Sequence, residues 1–192
     1  MTGSKVLPWL VVAALLAGAQ GEARASLAGK AFNASYRYPN LGTVYPFATW
    51  TPPTFTVGAG QETSGNVEGV TWLLTDFSAT SLVLEFDTTL FAPTWNVSDF
   101  NGPVFTLTSG TLGITGVSIG AATTMAGFDA SRVLLTGTEI GLNWNGLSYV
   151  DGTKVELLFT FGDVAVPEPG TLALVGLGLA GLLAARRRRN AA

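Results

Sequence analysis

The 192-residue chain contains no cysteine and no histidine. Without cysteine the fold has no disulfides, and thiolate metal sites, thiol nucleophiles and a lipid-modified cysteine are all excluded. Without histidine there is no imidazole base for a serine triad, and the commonest transition-metal ligand is missing. These absences remove a large share of hydrolase chemistry, so the chain reads as a non-enzyme that needs no cofactor. Charge is scarce as well, at 12% of residues, and six of the ten basic residues are Lys5, Arg24 and Arg186 to Arg189, close to the two ends. Between Ser26 and Ala165 the four bases Lys30, Arg37, Arg132 and Lys154 stand against eleven carboxylates, a formal balance of −7. A surface so poor in Lys and Arg cannot neutralise phosphates, which excludes nucleic acid as a partner. A solvated acidic face is the expectation.

Long apolar runs occur only near the ends. Lys5 precedes the run Val6 to Ala19, and Ala23-Arg24-Ala25 places small side chains at the two positions that signal peptidase reads. This is the pattern of a secretory signal over residues 1–25, cut after Ala25. An uncleaved anchor is the alternative, but the run is short for a bilayer and Pro8 weakens its first turn. Near the other end, residues 166–192 carry three parts in a fixed order: Val166-Pro167-Glu168-Pro169, the apolar run from Gly170 to Ala185, and Arg186, Arg187, Arg188 and Arg189. Each proline fixes its own φ and pushes the residue before it out of the helical region, so the first part is extended. As a helix, residues 170–185 span about 24 Å, slightly short of a bilayer core. The arginines resist insertion and stay cytoplasmic, which leaves the body outside the inner membrane.

This segment, VPEPGTLALVGLGLAGLLAARRRR, resembles the PEP-CTERM sorting signal, which is also catalogued as an ice-binding protein C-terminal domain. The resemblance implies recognition of Pro167, Glu168 and Pro169 by the membrane peptidase exosortase. It further implies removal of the helix and its basic tail, and display at the surface of bacteria that make exopolysaccharide and biofilm. The partners that follow are signal peptidase and exosortase during export, the inner membrane transiently, and exopolysaccharide at the destination. Ice binding does not follow, because the catalogue label attaches to the sorting segment and the body has no regular threonine array.

The 140 residues between, 26–165, suit one domain with a sizeable core. They show no useful helical period but repeated alternation of apolar and polar residues. Val155, Leu157, Phe159 and Phe161 share one face, as do Leu82, Leu84 and Phe86, and Ile140, Leu142 and Trp144. Further strands are expected over 32–38, 54–57, 70–77, 103–108, 112–119 and 132–136, punctuated by Gly, Asn and Asp. Eight or nine short strands without crossover helices predict an all-β, antiparallel sandwich of jelly-roll or immunoglobulin-like type. Two aperiodic stretches, 87–102 and 120–131, are longer than hairpin loops and are where a local function would sit.

Three chemistries are open to those loops. Glu85 and Asp87 share a strand face, and Asp76 or Asp99 approaching them would make an oxygen site for calcium. The aromatic residues Trp50, Trp72, Trp95, Trp144, Tyr36, Tyr38 and Tyr149 offer flat faces for sugar rings or serve as core. Trp144, in an alternating apolar set, is expected to be buried, whereas Trp95, in the long loop, is the better candidate for exposure. A carboxylate-pair glycoside hydrolase needs neither His nor Cys and is the rival class, although no pair stands out.

Overall fold

A computed structural model describes residues 25–162 together with the isolated Gly178. The signal segment up to Arg24, Ala23 included, lies outside the described residues. So do Pro167, Glu168, Pro169, all of the expected helix 170–185 except Gly178, and Arg186 to Arg189. No helix among the described residues is long and apolar enough to cross a membrane. Ala25–Gly162 forms one compact unit.

The unit is all-β. Its strands are β1 (Ala31–Arg37), β2 (Ala48–Thr51), β3 (Thr54–Thr56), β4 (Thr63–Val67), β5 (Thr71–Phe77) and β6 (Ser81–Thr88), then β7 (Gly102–Leu107), β8 (Ile114–Ile119), β9 (Val133–Leu135), β10 (Glu139–Leu142) and β11 (Lys154–Phe161). They make two antiparallel sheets, one ordered β3-β1-β7-β10-β9 and the other β2-β4-β5-β6-β11-β8.

Alternation decides which face of each strand is buried. Leu82, Leu84 and Phe86 of β6 are fully buried, as are Val155 and Leu157 of β11, while Glu85, Asp87 and Leu158 point outward. In β7 the first four residues, Gly102 to Phe105, are all buried, as suits a strand flanked on both sides. Aromatic rings join the two sheets. Phe77 of β5 lies 5.2 Å from Phe32 of β1 and 5.2 Å from Phe105 of β7, and Trp50 of β2 lies 5.4 Å from Phe105. Such contacts add about 0.5–1.5 kcal/mol per pair beyond area burial.

Two strands carry little sequence signal. β2 and β4 are short, and β4 reads Thr-Ser-Gly-Asn-Val. Gly65 of β4 sits opposite Trp50 of β2, and a Cβ there would come within 2.8 Å of the indole ring. The glycine leaves the space that the tryptophan fills, a pairing that no single-strand pattern announces.

Register also sorts the connections into two poles. β5 and β6 pair Thr71 with Thr88 at one end and Phe77 with Leu82 at the other. The connections 38–47, 68–70, 89–101 and 143–153 gather at the Thr71 end. At the opposite end are 78–80, 108–113 and 136–138, where the described unit also starts and finishes. Leu27 N donates to Ala79 O, Gly162 N donates to Gly113 O, and a Cβ on Gly113 would lie 3.8 Å from that of Ala25.

Candidate functional site

At the Thr71 pole a cleft of about 190 Å³ opens between four connections. Tyr36, Tyr38 and Tyr45 line one side, Trp95 and Tyr149 another, and Glu68 is the only charged residue among the lining side chains.

The floor is a buried polar relay. Trp144, wholly buried, donates from Nε1 to Tyr36 Oη at 2.7 Å, and Tyr36 Oη donates to Asn101 Oδ1 at 2.8 Å. Asn101 Nδ2 donates to Asn96 O at 3.0 Å, and its backbone N donates to Asn143 Oδ1 at 3.0 Å. Asn143 Nδ2 reaches Asp99 O at 3.0 Å. The relay therefore ties the long 89–101 connection to β1 and to the end of β10, and every member has a partner, as buried polar groups require. Burial pushes the Tyr36 hydroxyl well above the ordinary tyrosine range, so it stays protonated and keeps donating.

The second wall is a stack. Trp95 lies 4.8 Å from Tyr149 at an interplanar angle of 14°, and 5.7 Å from Trp144 at 27°. Tyr149 Oη shares a hydrogen bond of 2.8 Å with Thr71 Oγ1, and Thr71 shares one of 3.0 Å with Thr88. Burial raises the Tyr149 hydroxyl as well. Trp95 is more exposed than the fully buried Trp144, as expected, although it does not stand free. Backbone bonds from Trp95 N to Leu147 O at 2.9 Å and from Gly146 N to Trp95 O at 3.0 Å fold the loop back, and the ring is half-buried in the wall. Its Nε1 is enclosed and meets no acceptor among the described residues.

The third side is a strained hairpin. β4 and β5 are joined by the turn Val67-Glu68-Gly69-Val70, closed by Val70 N to Val67 O at 3.2 Å. Glu68 has φ 55° and Gly69 φ 71°, the two left-handed positions of a type I′ turn, which favours Asn-Gly or Asp-Gly. Glutamate in that first position costs of order 1–3 kcal/mol. The placement carries Glu68 to the cleft, where Oε1 accepts a hydrogen bond from Tyr45 Oη. Partial burial, followed by the hydrogen bond to Glu68 and its charge, pushes the Tyr45 hydroxyl up to about 12. Tyr45 is accordingly a fixed donor. Leu90 lines the cleft, and of the eight large apolar side chains exposed among the described residues, seven, Val44, Phe47, Phe91 and Val97 among them, belong to the connections of this pole.

Of the aromatic residues singled out from sequence, Tyr36, Tyr38, Trp95 and Tyr149 meet here. Trp144 lies beneath them, buried as expected, while Trp50 and Trp72 are elsewhere. The loop 87–102 contributes to the cleft, and 120–131 does not. Tyr45 and Glu68 were not anticipated. The Glu-Gly step between two alternating segments is the signal that marks Glu68, since a hairpin there forces glutamate into a left-handed conformation. At Glu85 and Asp87, where calcium was one expectation, Glu85 pairs with Lys154 directly across the sheet at 2.9 Å, and no three acidic groups converge among the described residues.

Comparison with known proteins adds a finding at the other end of the chain. It carries a PEP-CTERM protein-sorting motif. The match covers residues 165–189, so it contains Pro167, Glu168, Pro169 and the four arginines, and it leaves the β unit outside. The motif marks the chain for exosortase and for sorting to the cell surface. No curated protein and no solved structure matches the chain.

Proposed function

We propose that this exosortase-targeted surface protein is a non-enzymatic binding module of the extracellular matrix, built as a β-sandwich whose aromatic cleft holds a saccharide of the exopolysaccharide. The observation that carries this reading is the cleft itself. Flat rings, a few fixed polar groups and apolar lining residues such as Val67, Val70 and Leu90 are the ordinary make-up of a small-ligand site. Its volume of about 190 Å³ is below that of drug-sized sites and suits a single sugar residue of a longer chain. Glycoside hydrolysis uses two carboxyl groups flanking the bond, and the lining brings only Glu68.

The experiment is a glycan array with the purified chain, run beside a polysaccharide-hydrolysis assay. Binding without turnover is the expected result, and it should be lost in Tyr38→Ala. Turnover that disappears in Glu68→Gln would make the protein a hydrolase and overturn the reading. Binding to no glycan would also overturn it.

A further inference from the structure

We infer that the cleft selects a ligand bearing a positively charged amino group, with Glu68 as the charge-recognising residue, so that its saccharide is a hexosamine with a free ammonium group. This inference rests on the saccharide reading above and narrows it.

Three observations converge. First, Glu68 is the only charged side chain lining the cleft, so a cation entering it meets no repulsion from the lining. Second, the rings beside Glu68 form a partial cage. Tyr38 and Tyr45 stand 5.4 Å apart at 80°, and Tyr36 lies 6.2 Å from Tyr45 at 52°, all three lining the cleft. An ammonium within about 6 Å of such ring centres is attracted by their negative faces. Third, the carboxylate is held by Tyr45 Oη on one oxygen, which leaves lone pairs of the other for a donor from the ligand. A carboxylate accepting from an ammonium forms a charge-assisted bond stronger than any bond to a neutral hydroxyl. A neutral sugar would gain the ring contacts and at most the weaker bond from a hydroxyl, and an acidic sugar would in addition be repelled by the carboxylate.

The turn makes the same point from the side of stability. Asparagine would suit the left-handed first position of this hairpin better than glutamate does. Retaining glutamate at a conformational cost is understandable where its carboxylate is used, and this supplies a variant that separates binding from folding.

The test compares a glucosamine oligomer carrying free amines with its fully N-acetylated counterpart, by titration calorimetry at pH 6 against the intact protein, Glu68→Gln and Glu68→Asn. The free-amine oligomer should bind the intact protein at least about tenfold more tightly, a difference of ~1.4 kcal/mol. Both variants should lose that preference, and the Asn variant should melt at the same or a higher temperature. Equal binding of the two oligomers, or a preference retained in both variants, overturns the ammonium inference and leaves the saccharide reading standing. Binding of neither oligomer by a protein that does bind another glycan on the array overturns it equally. Failure to bind any glycan removes the saccharide reading first.

Discussion

The two poles of the β unit are built by the same strands and differ in what their connections expose. At the pole where the described unit starts and finishes, residues 78–80, 108–111 and 136–138 are exposed and consist only of Ser, Thr, Gly and Ala, and the one large apolar side chain of the 108–113 connection, Leu112, is buried. At the cleft pole three of the four connections are longer and hold Val44, Phe47, Leu90, Phe91 and Val97 in solvent, while Glu68 and Ala92 take positive φ. Stability alone explains the first pole, where short polar turns close hairpins at little cost. It does not explain the second, where apolar exposure and backbone strain coincide with an aromatic cavity. Strain and exposed apolar surface concentrated at one site are the usual mark of a binding surface.

The comparison is broken most forcefully by truncating the core beneath each pole. Trp144→Ala under the cleft and Phe77→Ala toward the other pole should each cost about 3–5 kcal/mol, read by denaturant unfolding. Only Trp144→Ala should also abolish glycan binding at temperatures where both variants stay folded. An equal loss of affinity in Phe77→Ala would show that the poles are not independent. A smaller effect is expected from Tyr36→Phe, which removes the hydroxyl joining Trp144 Nε1 to Asn101 Oδ1 and leaves two buried polar groups unpaired. The expected loss is about 1–3 kcal/mol. Because the relay anchors the 89–101 connection, proteolysis within that loop should quicken while cleavage near 108–111 stays unchanged.

The mildest perturbation is alkaline pH. The Tyr45 hydroxyl is raised to about 12 in the folded protein from an ordinary value near 10, and those of Tyr36 and Tyr149 are raised as well. The unfolded chain therefore releases these protons first, so the stability they contribute is fully present below pH 10 and is lost as pH rises toward 12. Melting temperature should be flat on this account up to pH 10 and then fall. A Tyr45→Phe variant should show a shallower fall, and an unchanged slope would place the titration elsewhere.

Reading along the chain recovers the strands whose pattern is local. β5, β6 and β11 alternate clearly because one face of each meets the core and the other meets water, a two-residue period that sequence carries directly. β2 and β4 escape such reading because Gly65 and Trp50 make sense only as a cross-strand pair. The cleft is legible in its ingredients, since Tyr36, Tyr38, Trp95 and Tyr149 stand among the aromatic residues open to sugar stacking or core packing, and 87–102 is one of two aperiodic stretches long enough for a local function. Its selection among them was not legible. The aperiodic loop marks Trp95 as more exposed than Trp144, which holds, but only the fold shows that stacking on Tyr149 from the β10–β11 connection half-buries it. Glu85 and Asp87 looked like a ligand pair because they share a face, but Lys154 on the neighbouring strand claims the first of them.

What the amino-acid sequence determined by itself is the address and the material. A sorting motif is read as a linear order of proline-fixed backbone, apolar run and arginines, and an all-β class follows from alternation; both are properties of residues near one another in the chain. What only the tertiary structure decided is which rings become core, which become walls, and that Tyr45, Glu68 and Trp95, far apart in sequence, share one cavity. Those outcomes depend on strand register and on the packing of one sheet against the other, and neither quantity exists until the chain has folded.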